Sequence, residues 1–132
     1  MKGVFVDASA WIVAADGDHP SHAAVVRVMR GARGRLHTSS YVFDEVVTLC
    51  RRRYGHARAA KLGIALRSDP GIHLLRVTPE DEAEAWRLFL APPDKTYSFT
   101  DCTSFVLMRR LGIEEAVTLD ADFTREGFRS LP

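Results

Sequence analysis

The chain has 132 residues, of which 46% are hydrophobic and 27% charged, with a formal net charge of +1. That length and balance suit one soluble globular domain with a core of its own. They exclude a bilayer-spanning helix, because no apolar run approaches the ~20 residues required, and a disulfide scaffold, because Cys50 and Cys102 are the only cysteines.

The opening Met1-Lys2-Gly3-Val4-Phe5-Val6-Asp7 has too short an apolar part for a signal peptide, so a cytoplasmic protein is expected. Gly3–Asp7 reads as the first strand, and its run Val4-Phe5-Val6 does not alternate, as expected when both faces are covered. Ser9–Ala15 reads as a short helix broken by Asp16-Gly17-Asp18, and Ser21–Met29 as a second helix ended near Gly31. Leu36-His37-Thr38 is a short second strand. Ser40–Tyr54 places Val42, Phe43, Val46, Val47 and Cys50 on one helical face, with Gly55 as its stop. His56–Arg67 continues as a helix up to Ser68-Asp69-Pro70-Gly71.

Ile72–Val77 reads as a strand, and Pro79–Leu90 as a helix with Pro in its first turn and Glu80, Asp81 and Glu82 beside its positive end. Ala91-Pro92-Pro93-Asp94 is a loop. Ser98–Leu111 is a helix stopped by Gly112, Ala116–Leu119 a strand, and Phe128–Leu131 a last edge strand. Short apolar strands alternating with longer amphipathic helices define an α/β chain with a parallel sheet. Such sheets bind ligands outside the carboxyl ends of their strands, where Asp7 and Asp120 fall.

Charge is unevenly placed. From Arg27 to Arg67 there are ten Lys/Arg and two acids, while the remainder is net acidic. A basic stretch beside an acidic pocket suits a polyanionic substrate, although a solvated helical face explains such a stretch equally simply. Arg51, Arg52 and Arg53 are its densest run.

Five acids are candidates for the chemistry. Asp7 ends the first strand and either caps the following helix or faces the crevice. Glu45 lies early in its helix, where the helix dipole alone favours an acid, and its neighbour Asp44 points about 100° away. Asp101 completes a capping-box pattern with Ser98, yet adjoins Cys102 and Phe105 on an apolar face. Asp120 and Asp122 both follow the strand Thr118-Leu119. Like charges gathered at one sheet edge need a counter-charge, and hard oxygen ligands favour Mg²⁺ or Mn²⁺. The five histidines form no zinc set, and neither a P-loop nor a nucleophile elbow is present.

These segments together resemble a known family. Phe5-Val6-Asp7-Ala8-Ser9-Ala10-Trp11 is similar to the opening of PIN-domain nucleases. Thr38-Ser39-Ser40-Tyr41-Val42-Phe43-Asp44-Glu45 resembles the segment with their second acid, Tyr97 to Phe105 the third-acid motif, and Thr118-Leu119-Asp120-Ala121-Asp122-Phe123 the fourth. The nearest subgroup is the VapC-type ribonuclease toxins. The resemblance implies a PIN-like three-layer sandwich, one domain over residues 1–132, with a mostly parallel central sheet flanked by helices. It implies a metal-dependent endoribonuclease acting on structured RNA such as tRNA, a cognate VapB-type antitoxin and a homodimer through the helices around Ala23–Met29 and Val42–Tyr54. Carried over residue by residue, Asp7, Glu45, Asp101 and Asp120 are the catalytic and metal-binding acids, with Asp122 a further contributor and Ser9 and Thr100 as hydroxyl supports. Ala8 stands where relatives often have a hydroxyl residue.

Two rival readings follow from the same residues. A phosphatase of the haloacid-dehalogenase type also opens with a strand ending in Asp, but needs a second Asp where this chain has Ser9; a receiver-like domain would be phosphorylated at Asp7. A non-catalytic module that holds RNA or protein is the third reading.

Overall fold

The computed structural model describes residues 2–91 and 95–132. Pro92, Pro93 and Asp94 of the expected loop lie outside the described residues. Five strands form one sheet: β1 (Val4–Val6), β2 (Leu36–Ser39), β3 (Ile72–Leu75), β4 (Glu115–Val117) and β5 (Arg129–Leu131). Their order is β3-β2-β1-β4-β5, and every neighbouring pair is parallel, the edge strand β5 included. Seven helices connect them among the described residues: α1 (Ala8–Ala14), α2 (His22–Gly31), α3 (Ser40–Tyr54), α4 (His56–Ser68), α5 (Pro79–Leu90), α6 (Phe99–Leu111) and α7 (Asp122–Arg125).

The strand order has a consequence for function. From β1 the chain steps outward to β2 and β3, then crosses back to β4 and steps the other way to β5. With right-handed crossovers, α1 to α4 cover one face and α5 to α7 the other. The connections leaving β1 and β4 therefore diverge, and a crevice opens between these strands at the carboxyl edge.

Local chemistry sets the element ends. β4 stops at Val117, two residues before the expected end, because the Thr118 hydroxyl accepts the Asp120 N–H at 2.9 Å and turns the chain. β3 stops at Leu75, and the Val77 N–H is donated instead to Ser40 Oγ. α6 ends at Gly112, whose φ of +69° few side chains tolerate. The short α7 was not anticipated; it is one turn long and buries Phe123 completely.

β1 is buried at all three positions, as its unbroken apolar run predicts. Phe105 of α6 is fully buried and packs edge-on against Tyr97 and Phe123, with ring centroids at 5.0 and 4.9 Å, and stacks on Phe128 at 5.8 Å. This aromatic cluster ties α6 to α7 and so fixes the spacing of the acids those helices carry. Phe105→Ala is expected to destabilise the fold by about 3–5 kcal/mol, read from urea unfolding. A loss under ~1 kcal/mol would show that the cluster does not hold the two helices together. No described helix is long and apolar enough to cross a membrane.

Candidate active site

At the carboxyl edge, β1 delivers Asp7 beside the end of β4. The Asp7 N–H still bonds Val117 O at 3.0 Å, and its carbonyl accepts the first N–H groups of α1. Its side chain makes no capping bond, so the carboxylate is free to face the crevice. Ser9 and Thr118 both donate their hydroxyls to Asp7 Oδ2 at 3.1 Å. Ser9 Oγ also accepts the Leu119 N–H at 3.1 Å, so two hydroxyls lock the end of β1 to the turn that carries Asp120.

Asp101 both caps its helix and lines the crevice. Its Oδ2 accepts the Ser98 N–H at 3.2 Å while Ser98 Oγ accepts the Asp101 N–H at 3.0 Å, a reciprocal cap on α6. The same residue lines the crevice with Asp7, Glu45, Asp120 and Asp122. Glu45 lies beyond the first turn of α3, so the helix dipole does not account for it. It is half-buried at the crevice, whereas Asp44 is exposed.

The crevice holds about 430 Å³. Within it, carboxylate oxygens of Asp101, Asp120 and Asp122 all lie within 4.8 Å of one another. Asp122 therefore joins the tightest group, with Asp7 and Glu45 on the surrounding wall. One oxygen of Asp120 accepts the Asp122 N–H at 2.9 Å, and Arg125 reaches Asp122 Oδ1 at 2.6 Å. Arg53 and His19 are the basic side chains on the wall.

Electrostatics mark this as a site short of positive charge. Burial, reinforced by Asp7 and Asp120, pushes the Asp101 carboxyl up to about 7. Asp7 is raised by burial, against the pull of its hydrogen bonds from Thr118 and Ser9. Glu45 is raised by burial and then by Asp7 and Asp120, and Asp122 by burial and Asp120. Carboxylates whose pKa is raised in this way are disfavoured as anions, and a divalent cation offsets that cost directly. The donor set is all carboxylate oxygen in its tight group, which fits a hard ion such as Mg²⁺ or Mn²⁺.

The other expected residues fall in different places. Arg53 faces the crevice, but Arg51 and Arg52 line a separate groove between α3 and α4, since consecutive helical residues diverge by ~100°. Thr100 contributes its carbonyl, which accepts from the Thr103 and Ser104 hydroxyls. Thr118, which supports the crevice acids from behind, and Asp16 were passed over in the sequence. Thr118 serves Asp7 and Asp120 together; its signal is a hydroxyl two residues before an acid at a strand end. Asp16 sits on the wall, bonded by the Tyr54 hydroxyl at 3.0 Å, although its Asp-Gly-Asp context reads only as a helix breaker.

Comparison with known proteins agrees with this geometry. The PIN domain family matches residues 4–128. Two curated relatives, both named 23S rRNA-specific endonuclease VapC20 and from two strains of Mycobacterium tuberculosis, are 35% identical over 125 residues, 95% of either chain. The crystal structure of Mycobacterium tuberculosis VapC20, described as a sarcin-ricin loop cleaving toxin, superposes with a TM-score of 0.90 at 32% identity and covers 96% of each chain. An all-parallel sheet with acids gathered where β1 and β4 diverge, and a match over nearly the whole length, lead to one conclusion: the chain belongs to the PIN domain family, as a nuclease of the VapC type.

Proposed function

We propose that this chain is the toxin of a toxin–antitoxin pair, a single-domain endoribonuclease that hydrolyses phosphodiester bonds of structured RNA at the carboxylate crevice. The observation that carries the reading is the convergence of Asp7, Asp101, Asp120 and Asp122 at the open edge of the sheet, with Glu45 beside them. Asp101, Asp120 and Asp122 would hold Mg²⁺ or Mn²⁺, with Asp7 and Glu45 completing the oxygen set. When bound, such an ion supplies charge stabilisation at the scissile phosphate and makes water a competent nucleophile near neutral pH. The chain itself supplies position. Ser9 and Thr118 hold Asp7 in one rotamer, the Ser98 cap holds Asp101, and the Asp122 N–H orients Asp120.

Arg53 is placed to bind the RNA backbone beside the reacting phosphate, and Arg51 and Arg52 would contact RNA only away from it. A VapB-type antitoxin would silence the toxin by covering the crevice, and the working form would be a homodimer. The relatives cut 23S rRNA and, in the solved structure, the sarcin-ricin loop, so that hairpin is the first substrate to test and tRNA the second. The phosphatase reading loses ground to Ser9, which donates to Asp7 from the position where that chemistry needs an acid.

The test is cleavage of an end-labelled sarcin-ricin hairpin and of tRNA by the purified chain, with Mg²⁺, Mn²⁺ or EDTA. Discrete fragments that require metal are expected. Arg53→Ala should slow cleavage about tenfold and reduce the slope against log salt by about one phosphate contact. A folded, antitoxin-free chain that cuts neither RNA, nor total RNA, in either metal would overturn the reading and favour a binding module.

A further inference from the structure

One wall of the crevice has no part in holding the acids. It is built from the end of α1, the turn after it and the last turns of α3, and it carries Asp16, His19, Arg53 and Tyr54 with Val13 and Leu49. The turn is held in one shape by its own hydrogen bonds. The His19 N–H donates to Asp16 O at 3.1 Å, and the His22 N–H to His19 O at 3.0 Å. His22 Nδ1 bonds Val13 O at 2.9 Å and pins the start of α2 to α1. The Tyr54 hydroxyl donates to Asp16 Oδ2 at 3.0 Å, which ties the turn to α3. The Arg58 guanidinium lies over one face of the Tyr54 ring, 5.4 Å from its centroid, so Tyr54 serves here as a strut.

This frame presents one donor and one acceptor to the crevice. The Ser21 N–H donates to His19 Nδ1 at 3.0 Å. With Nδ1 accepting, the hydrogen-bond network assigns the proton of the neutral ring to Nε2, a donor without a partner among the described residues. Asp16 is the counterpart. Its Oδ1 accepts the Asp18 N–H at 3.1 Å and its Oδ2 the Tyr54 hydroxyl, and each oxygen keeps a further lone pair. The Tyr54 hydrogen bond first, then the Asp18 N–H, hold the Asp16 carboxyl below its usual range, and nearby His19 acts in the same direction. Asp16 is therefore an anion at neutral pH and can only accept.

A phosphate does not suit this pair, because the Asp16 charge would repel it. The pair suits a group that accepts and donates at once. A ribose 2′-hydroxyl is such a group, and it is what tells RNA from DNA at a given site. The proposed hydrolysis gives that hydroxyl no other use. Water supplies the attacking oxygen, so the 2′-hydroxyl forms no bond to phosphorus and the chemistry alone would treat DNA as it treats RNA. Selection for RNA then has to come from contacts. We propose that His19 and Asp16 form a ribose-reading subsite beside the scissile phosphate, in which His19 Nε2–H donates to a 2′-oxygen and that 2′-hydroxyl donates a hydrogen bond to the Asp16 carboxylate. Arg53, next to Tyr54 on the same wall, is left for the phosphate of that nucleotide, and Val13 and Leu49 for its ribose carbons. The subsite rests on the nuclease reading and adds to it the means of choosing RNA.

The test uses the RNA hairpin that the chain cuts, remade with a single 2′-deoxyribose at either nucleotide flanking the mapped cut. Cleavage is read as kcat/KM in Mg²⁺ or Mn²⁺. Affinity is read by fluorescence anisotropy on the Asp101→Asn background, with and without Mg²⁺, where the RNA stays uncut. At one of the two positions the deoxy change should lower both quantities by about 30-fold. In His19→Ala and in Asp16→Asn the all-ribose hairpin should be held more weakly, and the deoxy penalty should shrink to under ~3-fold, because the partner of the missing hydroxyl is gone. His19→Gln, whose amide also donates, should keep a penalty of about 10-fold. Melting curves check that each variant is folded. No deoxy penalty in the wild type, or a penalty undiminished in either His19→Ala or Asp16→Asn, would overturn the subsite and leave the nuclease standing. Weaker binding of ribose and deoxyribose hairpins alike in His19→Ala would do the same and make His19 a phosphate contact. A folded chain that cuts no RNA would overturn both readings.

Discussion

Asp101→Asn is expected to lose RNA cleavage by about 10³-fold, roughly 4 kcal/mol of transition-state stabilisation, while folding more stably than the wild type in the absence of metal. The two effects have one origin. Burial, reinforced by Asp7 and Asp120, pushes the Asp101 carboxyl up to about 7, so its charge is unfavourable until a cation arrives. An amide removes that charge and with it one of the three carboxylates proposed to hold the metal. It keeps the carbonyl oxygen that accepts the Ser98 N–H, so the cap on α6 survives. The gain in metal-free stability at pH 8 should be about 1–2 kcal/mol, below the full electrostatic value because the crevice is open to water. Asp101→Ala lacks the reciprocal capping bond and should forfeit about 1 kcal/mol of that gain. Cleavage rates at saturating metal and melting in EDTA measure the two effects separately. Asp101→Asn cleaving within ~3-fold of wild type would remove Asp101 from the reaction.

Much of this site was legible in the sequence because its acids follow short, uniformly apolar segments. Val4-Phe5-Val6 reads as a strand covered on both faces, which put Asp7 at a carboxyl edge; Ala116-Val117 did the same for Asp120, although Thr118-Leu119, expected in that strand, form the turn after it. α3 and α5 were expected with their observed ends, since Gly55 and Pro79 are strong local signals. What the sequence could not supply was convergence. Asp101 was ambiguous between cap and crevice residue because both need the same residue at the same helical position, and only the fold shows that it caps α6 and lines the crevice as well.

Asp122 and Thr118 were undervalued for a related reason. Their importance comes from a turn and a one-turn helix that tertiary packing creates: Phe123 is buried beneath Phe105, and this orients Asp122. Local propensity says little about so short an element. The arginine run misled in the opposite direction. Arg51, Arg52 and Arg53 read as one basic patch, but the helix sends Arg53 to the crevice and its neighbours to another groove.

The metal-free protein should become less stable as pH rises from 5.5 to 8, the reverse of what paired surface carboxylates produce. In the unfolded chain Asp101 ionises near its usual 3.8; in the folded chain it holds its proton to about 7. Below pH ~4 both states are protonated and carry no difference. Between those values the folded state binds the extra proton, so stability falls as pH rises, and the loss is complete once pH passes the folded value. Between pH 5.5 and 8 this one group contributes about 2 kcal/mol, and about half is expected after solvent screening, a drop of roughly 3–6 °C in melting temperature. Asp7, Glu45 and Asp122, also raised, act with the same sign. Asp16, Asp81 and Glu126 are held low and lose their contribution only in more acid solution, outside this range. Burial lowers His37, which adds stability as pH rises through its ordinary value, so the Asp101→Asn profile is the proper baseline to subtract. Mg²⁺ or Mn²⁺ competes with the bound protons, so either ion should raise the melting temperature more at pH 8 than at pH 5.5. Melting curves at both pH values, in EDTA and in each metal, decide it. A wild-type profile in EDTA that is flat or rising relative to Asp101→Asn would mean that neither burial nor the neighbouring acids make the Asp101 charge costly, and the case for a cation held among them would lose its physical basis.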